Sequence, residues 1–547
     1  MEQNGLAIYI SDRSTSWTST STYTSSLATE ARNISNSLES SLAILLWHLT
    51  NHNFAMSSSS QSHSVEIVDG VNRYPRTGIK VIISGAGIGG MFAGLECWRK
   101  GHDVEILEQN DVLSTIGDFL VLGPSGLSTL HYYPSMLAEY NETAWNSPLW
   151  WCDTSGKKLV SEFPEWNRPG AAPHAAGKDV PIVGFIKFRP QIMQMLEDQV
   201  KRLGIPIHFG RKVVRYEEDT LSGSISVLTA NNEVFTGDVV VAAEGIGTKS
   251  HEIVTGSIVP FVTSGYAIVR GAFSPSFIAP NSKGAELLLD PGQTPEVRTY
   301  VGQNMHLITL FTHDTVGLAF THKEDGNAAE SWNQTIPAEK LIAMLRERSS
   351  WGEQIIDLMQ QAPPNTLIDW RLTWRDPQPE WASKGGRVIQ LGDSAHAFLP
   401  SSGNGATQAM EDGISLAECL CQGGKERVPW STKVHTKLRY QRVSVIQQVG
   451  IVTRYSLHHV DMSLLDEGKN PFENVLHQGR WIWQHKPEDY ARDQFAAALD
   501  HLQTDAPFEN TNLPKGHVFK DWDVESELKK QADGVPSDLM TNGDWSR

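Results

Sequence analysis

The chain has 547 residues and a formal net charge of −17 at pH 7, so it is long enough to bury a large core in two or three domains. The excess of acidic residues argues against nucleic acid or an anionic membrane surface as a partner. Four cysteines, at positions 97, 152, 419 and 421, do not make a disulfide framework, which predicts a reducing, cytoplasmic compartment. No His/Cys cluster predicts a metal site, and no apolar C-terminal anchor predicts attachment to a membrane.

Residues 1–76 differ in composition from the rest of the chain. They are rich in Ser and Thr, which predicts a disordered extension with at most one short helix. Their single apolar run, at 42–47, is too short to cross a bilayer. A start of translation at Met56 would remove most of this extension.

The first glycine-rich motif follows an apolar run at 81–83, of the kind that forms a buried parallel strand. Gly85 permits a tight turn, Gly87 lets the backbone approach a phosphate, and Gly90 allows the next helix to pack closely. Glu108 follows a second predicted strand, about 20 residues after the glycines, where a carboxylate can accept from ribose hydroxyls. The same carboxylate would repel a 2′-phosphate, so the motif predicts bound FAD or NAD rather than NADP.

A strand-rich stretch from about 251 to 374 follows, which predicts a mainly antiparallel sheet. The expected strands are 266–272, 286–289, 298–302, 306–312 and 316–321. Period-2 alternation on the first of them places Tyr266, Ile268 and Arg270 on one face.

The second motif begins with an apolar strand at 387–391 and runs through Gly392 and Asp393 to Gly403 and Gly405. A helix is predicted from Ala406 to about residue 421, so both later glycines lie at a helix N-terminus, where free N–H groups and the dipole favour negative charge. Such a loop suits the ring of a reduced flavin, and Asp393 would hydrogen-bond the ribityl hydroxyls. The alternative is a Ser/Gly loop in which Asp393 is only a turn residue. The pairing of the two motifs favours FAD. A long helix at 434–456 and a polar, acidic tail complete the chain.

These motifs resemble those of group A flavoprotein monooxygenases of the salicylate hydroxylase and 4-hydroxybenzoate hydroxylase type, in particular the fungal branch that tailors polyketides, terpenoids and alkaloids. The resemblance covers about residues 78–455 and includes the segments at 188–190, 238–247 and 374–377 with Trp381. It implies an α/β fold with a Rossmann-like FAD-binding domain at 77–250 and 375–430. That domain is interleaved with a mainly antiparallel substrate domain at 251–374, and 431–547 supplies C-terminal helices and the tail.

The resemblance also assigns site residues. Arg189 lies at a helix start, where the positive dipole makes an Arg unfavourable without an anionic partner, and the family places it near FAD; the alternative is an exposed ion pair. Arg270 and Tyr266 are the catalytic candidates, because some fungal members hold a phenolate with an Arg at a similar place. For Arg270 the alternative is a salt-bridged sheet residue. The full set expected at the cofactor is Gly85, Gly87, Gly90, Glu108, Gly117, Arg189, Asp393, Gly403, Gly405 and Ala406.

Some positions depart from the family pattern. Glu244 stands where Asp is usual, which makes the transfer of that residue's role doubtful. Ala397 replaces the usual Pro after His396, and we expect His396 to be a packed structural residue. A Tyr-Pro pair common near residues 310–311 is absent, which predicts a more apolar substrate wall.

The expected activity is that of an FAD-dependent monooxygenase with NAD(P)H as cosubstrate. A C4a-hydroperoxyflavin formed from O2 would hydroxylate an aromatic or polyketide- or terpenoid-type small molecule in secondary metabolism. Epoxidation and Baeyer–Villiger-type insertion are the close alternatives. A flavin halogenase is disfavoured because its WxWxIP motif is missing, and a non-catalytic FAD-binding protein is disfavoured because the FAD motifs are intact except at Glu244.

Overall fold

The computed structural model describes residues 66–113, 117–167, 186–219, 221–328, 334–473, 475–476, 479–535 and 537–546. Most of the expected disordered extension, including the apolar run at 42–47, lies outside these residues. Of the part that is described, 66–76, residues 66–73 form an antiparallel hairpin instead of an irregular segment.

The strands are numbered in chain order. They are β1 (Glu66–Val68), β2 (Val71–Arg73), β3 (Lys80–Ser84), β4 (Asp103–Leu107), β5 (Phe119–Val121), β6 (Leu149–Cys152), β7 (Lys158–Glu162), β8 (Ile186–Phe188), β9 (Ile207–His208), β10 (Val213–Asp219), β11 (Ser224–Thr229), β12 (Val234–Gly237), β13 (Val239–Ala242), β14 (Val262–Phe273), β15 (Glu296–Gly302), β16 (Met305–Phe311), β17 (Val316–Lys323), β18 (Thr335–Ile336), β19 (Leu367–Trp374) and β20 (Val388–Gln390).

The α-helices are numbered in the same way. They are α1 (Ile88–Arg99), α2 (Pro134–Glu142), α3 (Arg189–Arg202), α4 (His251–Val254), α5 (Ala338–Arg348), α6 (Glu353–Gln360), α7 (Gly405–Gly423), α8 (Val428–His458), α9 (Arg480–Trp483), α10 (Pro487–Thr504) and α11 (Val524–Ala532).

Five parallel strands form the sheet that carries both glycine-rich motifs, in the order β20-β13-β3-β4-β9. Val81, Ile82 and Ile83 of the central strand β3 are fully buried, as expected of a strand covered on both faces. One face of the sheet packs against α1, α3 and α7, and the other against the antiparallel sheet β10-β11-β12. Because β20 pairs with β13 and β13 with β3, the second motif is brought beside the first.

A second sheet of eight strands is mainly antiparallel, in the order β18-β19-β14-β17-β16-β15-β6-β7. One of its faces, with Val269 and Phe273, packs against α5 and α6. The opposite face, with Ile268 and Ala319, meets residues of α8 and Phe119 of β5. The expected fold class, a Rossmann-like parallel sheet interleaved with an antiparallel sheet and followed by helices, is confirmed.

Two details of the expected sheet differ. The run at 286–289 is not a strand; it falls in and after the 3-10 helix Gly284–Leu287, because the N–H groups of residues 286 and 288 bond to carbonyls three residues back instead of across a sheet. Strands β6 and β7, in the stretch expected to belong only to the FAD-binding domain, join the antiparallel sheet through β15.

The C-terminal residues pack along the helix α8 rather than forming a polar tail. Trp522 donates from Nε1 to Ser444 Oγ at 3.0 Å, and Val524 donates its backbone N–H to Asp376 at 2.8 Å. Val524 is fully buried in the same apolar cluster as Ile268. Within the described part of the chain, no helix combines the length and the apolar character needed to cross a bilayer.

Lys187 of β8 is a buried amine in this framework, with 1% of its surface exposed. Its Nζ donates to Thr143 Oγ1 at 3.1 Å and lies 4.4 Å from the ring centre of Tyr140. Burial lowers the pKa of this amine to about 7. In the unfolded chain a lysine titrates near pH 10.4, so the unfolded state binds more protons between about pH 7 and pH 10.

We expect Lys187→Met to stabilise the protein, and to do so most at low pH. Below about pH 7 the folded chain carries the whole cost of the buried charge, and this cost disappears as the pH rises towards the unfolded pKa. The gain in the free energy of unfolding should be about 1–3 kcal/mol at pH 6 and clearly smaller at pH 9, measured by urea unfolding. Lys157→Met, at an exposed position, is the control and should change little at either pH. A gain that is equal at both pH values would show that the pKa of the Lys187 amine is not lowered in the folded protein.

Candidate functional site

The turn after β3 gives each of its glycines a different role. Gly85 has φ +107°, and a Cβ there would overlap the backbone carbonyl of Ala243. A Cβ on Gly90 would overlap the carbonyl oxygen of Gly85. A Cβ on Gly87 would meet nothing within 4 Å, so this residue faces open space. The first and third glycines are therefore needed by the fold, whereas the space in front of Gly87 is available to a ligand.

The first turn of α1 points its backbone donors at the same space. The helix begins at Ile88 with Gly87 as its N-cap, and no side chain caps it. Its first turn holds no acidic residue. Unsatisfied N–H groups and the positive end of the helix dipole at an open site are the usual setting for a phosphate.

Glu108 follows β4, as the spacing predicts, and is nearly buried. One carboxylate oxygen accepts from the Ala86 N–H at 3.0 Å, and the other accepts from the Asn110 N–H at 2.9 Å. Glu108 thus stabilises the glycine turn through its hydrogen bond to Ala86. A carboxylate can accept about four hydrogen bonds, so the expected contact with a ribose is compatible with these bonds and stays a prediction.

The second motif lies against the first. A Cβ on Gly89 would lie 2.7 Å from Leu391, and a Cβ on Gly392 would lie 3.1 Å from Ala409. Asp393 has an exposed side chain, yet desolvation raises the pKa of its carboxyl, an effect that His396 and Arg375 partly offset. This carboxylate follows β20, beside the glycine turn of the first motif, and its residue is exposed to solvent. Such a carboxylate suits a polyhydroxylated chain.

Helix α7 begins at Gly405, in the same motif. Gly403 has φ +61°, which a residue with a side chain rarely adopts, and Gly405 and Ala406 open the helix. Asn404 bonds to the Ser402 carbonyl at 2.6 Å rather than capping the helix, and the first turn carries no acidic side chain. A second set of helix N–H donors therefore faces the space where the motif predicts a flavin ring.

Residues 117–126 connect the two sheets at this point. Gly117 packs on Arg189, because a Cβ there would lie 2.7 Å from its Cδ. Asp118 accepts from the Arg189 N–H at 2.8 Å. Farther along, Gly123 donates to Thr407 Oγ1 of α7 at 2.9 Å. This segment therefore brings Arg189 and the α7 N-terminus to one place.

Arg189 is the first residue of α3, as predicted, and it has an anionic neighbour. Burial and the guanidinium of Arg270 lower the pKa of Arg189, and the Asp118 carboxylate raises it. Sequence reasoning missed Asp118. The only local signal is its position after Gly117, and its partners lie on other elements.

The two catalytic candidates share a face of β14 but have different surroundings. Arg270 forms a two-point ion pair with Asp118, with Nε donating at 2.8 Å and Nη2 donating to the other oxygen. Tyr266 lies under the Arg454 guanidinium at 4.6 Å and beside the His458 ring at 5.1 Å. Four residues along a strand span about 13 Å, so the two side chains do not act at one point. The catalytic role of Tyr266 stays a prediction.

Glu244 is turned into the fold. Its Oε1 accepts from Ser84 Oγ at 2.8 Å and from Tyr216 Oη at 2.5 Å, and its Oε2 accepts from Thr248 Oγ1 at 2.6 Å. The next residue, Gly245, has φ +75°, and a Cβ there would meet nothing within 4 Å. The longer side chain therefore anchors an open glycine turn beside the first motif.

A buried group of charges holds the second motif in place; its carboxylates end that motif in the sequence, but sequence reasoning missed their pairing with arginines of α8. Asp412 accepts from the Gly392 N–H at 3.1 Å and from His396 Nε2 at 2.5 Å. Arg439 of α8 donates to the other oxygen of Asp412 at 2.8 Å. Desolvation would raise the pKa of Asp412, but His396 and Arg439 outweigh it and hold that pKa below its usual range. His396 is thus a buried partner of Asp412.

A parallel sheet with two uncapped helix N-termini and an exposed carboxylate beside them is the architecture of a dinucleotide-binding protein and suits FAD. A scan of protein-family models finds no match. Over 480 residues, however, the chain is 37% identical to the FAD-dependent monooxygenase fsr3 of Gibberella fujikuroi, an alignment that covers 87% of this chain and 91% of that protein.

Comparison with solved structures supports the same assignment. The crystal structure of CtdE with FAD and a substrate superposes with a TM-score of 0.70 at 27% identity, covering 78% of this chain and 100% of that one. A salicylate hydroxylase substrate complex shares the fold, with a TM-score of 0.59 at 19% identity and coverage of 76% and 98%. The chain belongs to the family of fungal FAD-dependent monooxygenases. It is an oxidoreductase with FAD as its cofactor, and the family implies NAD(P)H as the reductant.

Gly87 and Gly90 offer a matched pair of alanine variants. Gly87→Ala should fold with the thermal midpoint of the flavin-free wild type but lose most of its FAD, because the added methyl enters only the ligand space. Gly90→Ala should lower the midpoint strongly, because its methyl collides with the Gly85 carbonyl inside the fold. Flavin absorbance per protein and thermal unfolding of both variants check this. Full FAD retention in a folded Gly87→Ala protein would contradict the assignment of Gly87.

Glu244→Asp restores the residue usual in the family, and we expect it to be harmful here. The shorter side chain cannot keep its bonds to Tyr216, Ser84 and Thr248 together, which should cost about 1–3 kcal/mol of unfolding free energy and reduce FAD retention. Urea unfolding and flavin content are the measurements. Glu233→Asp, at a half-exposed glutamate paired with Arg211, is the control. Improved FAD retention in Glu244→Asp would mean that the carboxylate reaches the cofactor instead.

Proposed function

We propose that this monooxygenase hydroxylates a phenol-bearing aromatic or polyketide-type small molecule, in fungal secondary metabolism. The observation that carries the proposal is the position of the Arg270–Asp118 pair. Asp118 is linked through residues 117–126 to the N-terminus of α7, and Arg270 lies on the inner face of the antiparallel sheet. A hydrogen-bond donor at that junction can meet a substrate oxygen next to the flavin site.

The surface around Arg270 supports an apolar, flat substrate. Its cross-strand neighbour is Ala319, which in turn pairs with Ile308. On the next pair along, Ala272 lies opposite Gly317, and the ring of Phe119 covers Gly317. Ile308, Ala272 and Phe119 remain partly exposed within this face. Small and apolar side chains beside one guanidinium suit a ring system with a polar oxygen.

Different groups of the protein bind different parts of FAD. We assign the pyrophosphate to the α1 N-terminus at Gly87, the ribityl hydroxyls to Asp393, and the negative charge of the reduced ring to the N–H groups at Gly405 and Ala406. Bound FAD, once reduced by NAD(P)H, supplies the oxygen-activating chemistry.

Arg270 orients the substrate and the apolar wall excludes water. A guanidinium N–H donated to a phenolic oxygen favours its ionised form, which makes the ring carbons more electron-rich. The apolar side chains beside it strengthen this interaction by lowering the local dielectric. Epoxidation is the second candidate, because the same apolar face would accept an alkene; it does not require Arg270.

The test is oxygen uptake by the purified protein with NADH or NADPH and a panel of phenols, naphthols, hydroxyquinones and phenol-free alkenes. We expect a yellow protein that releases FAD, and a phenolic product that gains one oxygen atom. Arg270→Ala should keep FAD but convert oxygen to peroxide with roughly 10- to 100-fold less product. Products from the alkenes alone would replace hydroxylation by epoxidation, and unchanged product in Arg270→Ala would remove its role.

Asp393 provides the cofactor control for this test. Asp393→Ala should lose most of its flavin while it still folds, because only an exposed carboxylate is removed. Asp290→Ala, at an exposed loop position, should keep its flavin. Equal flavin content in the two variants would contradict the ribityl assignment.

A further inference from the structure

Asp118 is a nearly buried carboxylate, 4% exposed, at the centre of the junction described above. Both its backbone carbonyl and its side-chain carboxylate accept hydrogen bonds. Its backbone carbonyl accepts from Arg189 at 2.8 Å, and its two carboxylate oxygens accept from Nε and Nη2 of Arg270. A two-point pair of this kind sets the plane and direction of a guanidinium as well as its distance.

Burial of this carboxylate would be costly without Arg270. An unpaired carboxylate in a protein interior loses several kcal/mol of hydration, and the paired guanidinium is what offsets that loss. The dependence is mutual, because Arg270 extends from a strand whose neighbours on this face, Ala319 and Ile308, carry no charge. Among the contacts described for the Arg270 side chain, Asp118 is the carboxylate that fixes its direction.

The charges around Asp118 also favour its pairing with Arg270. Arg189 and Arg270 are close enough for each guanidinium to repel the other, and both are close to Asp118. With Asp118 present, the group of three carries one net positive charge. Without it, two like charges would face each other in a partly desolvated place, and Arg270 would lose the carboxylate that sets its direction.

We propose that Asp118 is a positioning residue of the oxygenation reaction: it holds the Arg270 guanidinium in the direction in which it meets the substrate oxygen. Asp118 does not touch the substrate and acts through Arg270. The proposal rests on the proposed function, because that is where the contact between Arg270 and the substrate is assigned.

The test compares Asp118→Asn, Arg270→Ala and the double variant as holoenzymes, with the panel compound that gives the wild type most product. Asp118→Asn keeps the shape of the side chain and removes its charge. We expect it to retain FAD and to consume the reductant, with product per reductant reduced roughly 10-fold or more. Because Asp118 acts through Arg270, the double variant should form no less product than Arg270→Ala alone.

Thermal unfolding of the same three proteins gives a readout that does not depend on activity. Arg270→Ala leaves Asp118 buried without its partner and should lower the midpoint strongly. Adding Asp118→Asn removes the stranded charge, so the double variant should unfold at a higher temperature than Arg270→Ala. If Asp118→Asn does not retain FAD, Asp118→Glu replaces it, because that variant keeps the charge but moves it.

Asp369→Asn is the matched control. Asp369 is a fully buried carboxylate on the opposite face of the same sheet, paired with His322 at 3.1 Å and Lys340 at 3.3 Å. Its loss should lower the thermal midpoint but leave product per reductant unchanged.

Two results would overturn the proposal: wild-type product per reductant in Asp118→Asn, or losses in the double variant that multiply those of the single variants. A wild-type protein that gives no substrate-dependent product from any panel compound would instead refute the proposed function itself, before any variant is compared.

Discussion

The buried contact between Glu411 and Asp412 of α7 and two arginines of α8 is the interaction on which the rest of the site depends. Arg439 pairs with both carboxylates, and Arg442 pairs with Glu411 at 3.0 Å. Such a group adds little stability compared with apolar packing, but breaking it by removing one partner costs about 3–5 kcal/mol. It therefore penalises any arrangement in which α7 is shifted or rotated, and it fixes where the helix begins and which way its N–H groups point.

That contact also reaches beyond the two helices. Asp412 holds the Gly392 N–H, so the turn carrying Asp393 is tied to the same charges. Arg442 donates to the carbonyls of Trp481 at 2.9 Å and Ile482 at 2.8 Å, which ties in the segment that follows α8. A mutation in this C-terminal segment can thus alter flavin binding although the segment carries no cofactor motif.

The sequence predicts the parts of this molecule whose cause is local. Gly85 needs a positive φ, Gly90 meets the backbone of Gly85 a few residues earlier, and the apolar run of β3 specifies a buried strand by itself. The run at 286–289 also contains three apolar residues but is not a strand; its backbone forms a 3-10 turn, and composition does not show which apolar run finds a pairing partner. The role of Asp118 could not be predicted for a similar reason: it depends on contact with Arg270, a residue far along the chain.

The departure at Glu244 shows how a family position can change without loss of the turn it supports. The extra methylene carries the carboxylate to Tyr216 of β10, and the Ser84 and Thr248 hydroxyls complete its hydrogen bonds. A rule that transfers residue roles by position would assign this carboxylate to the cofactor. The hydrogen bonds instead support a reading in which the residue keeps the backbone of Gly245 in its left-handed turn.

The pairing of β20 with β13 has a consequence for how the protein is made. The whole antiparallel sheet, except β6 and β7, lies between these two parallel partners in the chain. Contacts between residues so far apart in sequence form late, because the loop between them must close first. A ribosome therefore exposes the first glycine turn long before the strand and helix that complete the flavin site exist. A complete flavin site can form only once β20 and α7 have both left the ribosome.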